Sequence, residues 1–367
     1  MNILHLSTAL SWRGGEQQLA YLIEELGRQG IRQTVFCPKG SVLESHCHKC
    51  SVAVVSYRKT FNLDPLISRK INSLIKAQDI THLHAHDSPS HTFAVMATAF
   101  FGAKLPVIVH RRVDFPIGKN WLSKWKYNHP SIVKIICVSD FIRKMVLSEI
   151  SQPEKLVVVS SGIDLARFNN PSNTLKTNRL RSEFKIPNNH FLVANIAAIA
   201  PHKDYETFLQ TAEMLLKSGL PAHFLAIGGD GGEEEKIRYL IQKKSLQERV
   251  LLTGFRNDIP EILPEIDLLL FTSKTEGLGT TLLDAFACKV PVVASRTGGI
   301  TELVEHGKTG FLCNVGDVDA FARAAKNILF DNSLRKQLAE NSFQKVQYFS
   351  KHQMAEAIIK IYRETLA

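Results

Sequence analysis

Four apolar residues in a row, Leu268–Phe271, stop abruptly at Thr272-Ser273-Lys274. A run this short and continuous is what a parallel strand shows when both its faces are covered, so it commits the chain around it to a layered α/β fold. A polar loop carrying Glu276-Gly277-Leu278-Gly279 follows. Thr280-Thr281-Leu282-Leu283-Asp284-Ala285-Phe286-Ala287 comes next, with helical apolar spacing and hydroxyl residues at its head. The spacing predicts a helix starting at Thr280 or Thr281, with Asp284 in its first turn. The loop of such a unit lies at the carboxyl end of the strand, where open α/β sheets bind ligands. Its glycines let backbone amides approach a bound group, and the helix start adds partial positive charge suited to phosphate. Glu276 and Asp284 offer carboxylates to sugar hydroxyls. The stretch reads as a site for a phosphate joined to a sugar. Each part also has a plainer reading: Thr281 and Asp284 fit a capping box in which the acid serves its own helix, and the glycines fit a simple turn.

A chain of 367 residues exceeds what one core usually holds, so two domains are expected. Hydrophobic residues make up 44% and charged residues 22%, which excludes disordered and collagen-like classes. The net charge of +10 is uneven: residues 1–160 hold 20 Lys and Arg against 11 Asp and Glu, and residues 161–367 hold 25 against 24. A basic first half points to an anionic partner such as a membrane surface, a phosphorylated lipid or an acidic saccharide. No recognition motif accompanies the charge, so nucleic acid is not expected as a partner. The N-terminus enters a strand-like run directly, without a signal-peptide pattern. The most lipid-like stretch, Phe93–Val109, is interrupted by Gly102, Lys104 and Pro106 and reads as a buried helix and a strand. A cytosolic protein, at most attached to a membrane surface, is the expectation.

Strand and helix alternate along the first half. Asn2–Ser7 reads as a strand, Gly14-Gly15 closes a loop, and Glu16–Gly27 has helical spacing. Thr34–Cys37 and Val52–Val55 read as strands, and Leu63–Lys76 as a helix. A further strand ends in His82, His84 and His86, whose alternation puts them on one face, a pattern open to a metal site. Pro106–His110 delivers His110-Arg111-Arg112 to a sheet end. Lys134–Ser139 and Leu156–Val159 continue the alternation, and the polar, proline-bearing Asn169–Thr177 reads as a linker. The second half restarts with strand Phe191–Ile196. Its Gly228–Gly232 run imitates a dinucleotide fingerprint, but Glu233-Glu234-Glu235 stands where a pyrophosphate would sit and repels it. Phe343–Leu366 reads as a single final helix. The cysteines mostly occupy apolar contexts and read as buried thiols. His46-Cys47-His48-Lys49-Cys50 holds a C-x2-C with flanking histidines, a pattern that can bind zinc, yet no second paired set follows at finger-like spacing.

Glu276-Gly277-Leu278-Gly279 with Asp284-Ala285, then Pro291-Val292-Val293, Gly298-Gly299 with Glu302, and Gly307-Lys308-Thr309-Gly310-Phe311-Leu312 resemble an ordered motif set of the retaining family-4 glycosyltransferases. Their pattern is E-G-x-G-x4-E-A, P-V-V, G-G-x-x-E and G-x-T-G-x-L, and the resemblance spans essentially the whole chain. It implies the α/β GT-B fold: two Rossmann-like domains with parallel sheets facing a cleft, and a C-terminal helix crossing back. The domains would be residues 1–169 plus 349–367, on the acceptor side, and residues 170–348, binding the donor. It implies transfer of a sugar from a nucleoside diphosphate sugar to a saccharide or lipid-linked acceptor hydroxyl, with retention, no metal and no other cofactor.

By the same resemblance Glu276 holds the transferred sugar and Asp284 the ribose. Lys203 and the amides around Gly277, Leu278, Gly279 and Thr280 stabilise the diphosphate. His110 lies beneath the sugar, Gly14 and Gly15 approach the donor, and the Arg256 loop lies near the base. The histidine strand end is then metal-free. Three positions depart from the family pattern: Asp284 replaces Glu, Ala198 stands where an arginine neutralises the diphosphate, and Ser161 replaces the Asn of N-G-V-D. A leaving diphosphate needs cations or amide dipoles, for which Arg256 or Arg296 are the compensating candidates. These departures keep open a non-catalytic sugar-nucleotide binder. An epimerase of the same fold is the remaining alternative, disfavoured by the E-G-x-G segment and the hairpin motif.

Overall fold

The computed structural model describes residues 1–61, 64–168 and 178–366. Two compact units divide them, one formed by Met1–Gly162 with the chain from Phe349 onward, the other by Ile163–Tyr348. Each is built on an all-parallel sheet with helices returning the chain between strands.

In the first unit the strands are β1 (Asn2–Leu6), β2 (Arg32–Pro38), β3 (Ala53–Tyr57), β4 (His82–Ala85), β5 (Val107–Arg111), β6 (Ile132–Cys137) and β7 (Leu156–Val158). Their order is β3-β2-β1-β4-β5-β6-β7. Winding runs one way from β1 to β3 and the other way from β4 to β7, so the direction switches between β1 and β4. Connections from those two strands leave in opposite directions and open a crevice at their carboxyl ends. The second unit repeats the device with β8 (Phe191–Ile196), β9 (Ala222–Ile227), β10 (Val250–Gly254), β11 (Leu268–Phe271), β12 (Val292–Ser295) and β13 (Phe311–Cys313). Here the order is β10-β9-β8-β11-β12-β13, and the switch falls between β8 and β11. Its core gathers Tyr205, Phe208, Phe224, Ile237 and Phe321, all fully buried.

Several elements differ from the sequence reading. The helix expected over Leu63–Lys76 runs Pro65–Gln78, and Leu63 lies outside the described residues. The single helix expected over Phe343–Leu366 is two helices, Asn332–Val346 and Lys351–Glu364, separated by a 3-10 turn at Gln347–Phe349. Ser350 makes the break, its hydroxyl accepting from the Gln353 amide at 3.2 Å as a new N-cap. The second of these helices packs Met354, Ile358 and Tyr362 against Tyr21, Leu22 and Leu26 of the Gly14–Arg28 helix.

The units part at Gly162, ahead of the expected boundary near 170; the linker expected at Asn169–Thr177 lies outside the described residues. Gly162 is fixed in the first unit by both backbone groups. Its carbonyl accepts from Gln18 Nε2 and its amide donates to Gln18 Oε1, each at 2.8 Å. The short Leu165–Phe168 helix beyond it belongs to the second unit, with Phe168 buried. At Gly162 a Cβ would lie 2.7 Å from Lys351 Cα, so the returning chain passes where a side chain would otherwise be. Gly162→Ala is therefore expected to destabilise by about 1–3 kcal/mol through overpacking. Gly27→Ala, inside a helix with only the flexible Gln33 side chain 3.8 Å away, should be neutral or stabilise by up to ~1 kcal/mol. Urea unfolding of the two variants checks the contrast.

Candidate active site

The second unit's switch point brings together the chain leaving β8 and the chain leaving β11. Just past β11, Thr272 is fully buried and its hydroxyl reaches the carbonyls of Lys203 and Asp204 at 3.2 and 3.0 Å. Asn195, on β8, donates to the same hydroxyl at 3.2 Å. The Lys274 amide donates to the His202 carbonyl at 2.8 Å. These bonds hold the Pro201–Lys203 turn beside the glycine loop. Lys203 Nζ consequently pairs with Glu276 Oε1, which also accepts from Ser273 Oγ at 2.9 Å. The two site residues expected to bind different parts of a substrate are thus in direct contact, and both are mostly buried.

Gly279 takes a left-handed conformation, φ 87° and ψ 57°, and the helix begins at Thr280 with no side-chain cap. Among the described residues nothing accepts from the amides of Gly279, Thr280 or Thr281. The capping-box reading of Thr281 and Asp284 therefore fails, and the helix presents bare N–H groups with their partial positive charge. Asp284 sits one residue beyond the first turn rather than within it. It is half-buried, and burial pushes its carboxyl up to about 7, with Arg167 nearby pulling the other way. The glycine loop is braced from behind by the turn after β12. Gly299 N–H donates to the Glu276 carbonyl at 3.0 Å, and Thr297 Oγ1 to the Lys274 carbonyl at 3.0 Å. Cβ atoms at Gly298 and Gly299 would fall inside the backbone of Glu276 and Gly277.

The two candidate compensating cations, Arg256 and Arg296, have other partners in this structure. Arg256 donates to both oxygens of Asp258, at 2.8 and 2.6 Å, and to Glu183 at 2.7 Å. These two acids raise its already high pKa. Arg296 is exposed and directs its guanidinium to the Leu312 carbonyl at 3.4 Å. Ala198, which leaves the arginine position without a charge, is exposed.

The first unit's switch point carries a cluster of histidines. β1 and β4 pair in a register that sets His5 opposite His84, and His110 stacks on His84 with centroids 5.6 Å apart at 3°. His5 Nδ1 and His86 Nε2 lie 3.0 Å apart. The final helix seals the cluster, Tyr362 hydroxyl lying 2.6 Å from His84 Nδ1 and Thr365 Oγ1 3.1 Å from His82 Nε2. Burial drives all these imidazoles toward the neutral form, His5 to about 3 and His82 to about 4. The cation among them is Arg112, whose Nη2 lies 2.9 Å from His110 Nδ1 and 3.4 Å from His86 Nδ1. Arg111 does not join it. It is buried, donating to the Tyr127 hydroxyl at 2.7 Å and to the Phe115 carbonyl, so the adjacent arginines split into one structural and one facing the histidines. Gly14 and Gly15 open the first helix, where Glu16 already accepts from the Arg13 amide at 3.0 Å. A Cβ on Gly15 would lie 3.9 Å from Arg112 Cδ.

His5, Ser273 and the bracing role of Gly298-Gly299 are the additions to the sequence reading. Only the glycine pair had a signal in sequence, as part of the motif set.

Two family models divide the chain between them. Glycosyltransferase Family 4 matches residues 12–167, and Glycosyl transferases group 1 matches residues 176–345. The chain belongs to this family of GT-B glycosyltransferases. It is 26% identical over 314 residues to N-acetyl-alpha-D-glucosaminyl L-malate synthase of Bacillus anthracis, covering 83% of this chain and 80% of that one. It is 26% identical over 274 residues to the UDP-Gal:alpha-D-GlcNAc-diphosphoundecaprenol alpha-1,3-galactosyltransferase of Escherichia coli, covering 71% and 69%. In fold it is similar to Anabaena HepE, crystallised in complex with UDP-glucose, with a TM-score of 0.85 at 23% identity over 99% of this chain and 100% of that one.

Asp284 gives the site a pH signature. Its folded-state pKa of about 7 lies above the ordinary 3.8, so the folded state holds a proton that the unfolded chain has released. The contribution is fully present below the ordinary value and is lost as pH rises through about 7. The Tm difference between the wild type and Asp284→Asn is expected to fall as pH rises from about 4 to about 7, against the opposite slope that the buried neutral histidines give both proteins. A difference that stays constant over that range would contradict the assignment.

Proposed function

We propose that the protein transfers a sugar from a nucleoside diphosphate sugar to an acceptor hydroxyl with retention of the α-configuration and without a metal. The observation that carries the reading is the uncapped start of the Thr280–Ala287 helix beside Lys203 and Glu276 at the second unit's switch point. Unsatisfied amides and a lysine are a metal-free way of taking up diphosphate charge. Glu276 is assigned the hydroxyls of the transferred sugar, Asp284 the ribose, and His110, neutral and beside Arg112, the sugar from the first unit. These assignments, retention and the roles of Gly14 and Gly15 rest on the family resemblance. UDP is the first donor base to test, because the galactosyltransferase relative acts on UDP-Gal by its name and HepE was crystallised with UDP-glucose.

Polysaccharide or glycolipid assembly is the proposed setting, supported by relatives that include a lipopolysaccharide core glycosyltransferase of Rhizobium meliloti. No described helix is long and apolar enough to cross a membrane. The first unit does expose Phe100, Phe115, Trp121 and Leu122, each more than half accessible, among the exposed Lys104 and Lys119. Aromatic side chains with lysines suit the surface of an anionic bilayer carrying a lipid-linked acceptor.

A second reading is favoured by the uncharged Ala198 and the occupied Arg256: a protein that binds the donor without turning it over. A screen of UDP-, GDP- and ADP-sugars for binding and slow hydrolysis in EDTA separates the two. Transfer predicts hydrolysis of one donor, lowered about 100-fold or more by Glu276→Ala and by Lys203→Ala. Tight binding with no turnover, even with acceptor extracts, would favour the binder, and no binding would remove the site. Sedimentation with phosphatidylglycerol vesicles at low salt should show binding, weakened several-fold in a Trp121→Ser, Leu122→Ser double variant. Failure of the wild type to bind would exclude the membrane surface.

A further inference from the structure

The histidine and cysteine run at 46–50 has no part in the sites above, and the structure divides it in a way its spacing does not. Cys47 is fully buried in a small core with Leu19, Ile23 and Leu43, and burial pushes its thiol up to about 12. The C-x2-C reading therefore fails. Cys50, exposed, caps the Val42–Lys49 helix, and its Sγ lies 3.6 Å from His46 Nε2 one turn earlier. Glu24 of the Gly14–Arg28 helix reaches the same point, its Oε1 3.9 Å from His46 Nε2.

We infer that Glu24, His46 and Cys50 form a binding site for one divalent transition metal of the zinc class. The three potential ligand atoms lie within 4.8 Å of one another. Sulfur and nitrogen held about 2.3 and about 2.0–2.1 Å from a tetrahedral zinc are themselves roughly 3.6 Å apart, which is the His46–Cys50 separation. Thiolate, imidazole and carboxylate together select zinc, cobalt or cadmium over magnesium and calcium, which take oxygen ligands.

Supporting contacts orient the set. Lys351 Nζ holds the other Glu24 oxygen at 2.9 Å, leaving Oε1 toward His46, and the His46 ring leans on Trp12 with centroids 5.2 Å apart. Outer-shell contacts of this kind fix ligand orientation in metal sites. The carboxyl end of the Val42–Lys49 helix adds a field favourable to a cation. Three protein ligands leave the fourth position for water. Binding releases the Cys50 thiol proton to solvent and changes no oxidation state.

The buried trio His5, His84 and His86 also brings ring nitrogens within 4.8 Å. It is the weaker candidate, because His5 and His86 bond directly to each other and the Arg112 guanidinium lies against His86. A dication there would meet the fixed positive charge of Arg112.

The test is a titration of the untagged, reduced full-length chain with Co²⁺, followed by displacement with Zn²⁺. The expected result is one cobalt per chain with a thiolate-to-metal charge-transfer band and the intense visible bands of tetrahedral cobalt. Cys50→Ser should abolish the charge-transfer band, and His46→Ala and Glu24→Gln should weaken affinity about tenfold or more. His48→Ala, exposed on the same helix, should leave binding unchanged. Absence of the band in the folded wild type, or its survival in Cys50→Ser, would overturn the site. Binding that persists in Cys50→Ser but is lost in His84→Gln would move it to the buried trio, which also overturns it.

Discussion

A helix that begins without a cap is the feature on which the second unit turns. Three amides at Gly279–Thr281 have no acceptor among the described residues and carry the partial positive charge of the helix head. The surroundings hold that arrangement. Gly279 takes the left-handed turn that puts the amides at the helix head, while Gly298 and Gly299 let the turn after β12 press directly on the backbone of Glu276 and Gly277. The strand order then decides where this happens. Because β8 lies between β9 and β11, the loops after β8 and β11 diverge and share one mouth, and Thr272 ties them together.

Charge is handled differently in the two units. In the second, Lys203 is neutralised by Glu276 and Arg256 by Asp258 and Glu183. In the proposed reaction an incoming diphosphate would meet amide dipoles first and draw Lys203 toward itself, freeing Glu276 for a sugar hydroxyl, so that the ion pair would couple the two ends of the donor. In the first unit the histidines are buried and neutral, and Arg112 is the cation set among them. In the proposed reaction, neutral imidazoles at this sheet end would hydrogen-bond sugar hydroxyls as donor or acceptor.

Much of this was legible because it follows from local rules. Continuous apolar runs marked the central strands, glycines marked the loops, and the ordered motifs around Glu276 identified the glycosyltransferase family. What could not be read depends on register and packing. His5 is an isolated histidine in sequence, and only the β1–β4 register places it against His84. Arg111 and Arg112 look equivalent, yet strand alternation buries one against Tyr127 and turns the other toward His110. Cys47 and Cys50 form a motif by spacing, but the helix sends one into the core and the other to the surface. The break at Ser350 was hidden because helical apolar spacing continues across it.

The central claim is that bare amides at the head of the Thr280–Ala287 helix, with Lys203, receive the diphosphate. Amide chemical shifts followed by NMR during titration with UDP, and separately with uridine, test it most directly. The account predicts that UDP produces its largest shifts at Gly279, Thr280, Thr281 and Lys203, and that uridine, lacking the phosphates, leaves those four nearly still. Saturable UDP binding that spares these amides, or uridine shifting them equally, would contradict it.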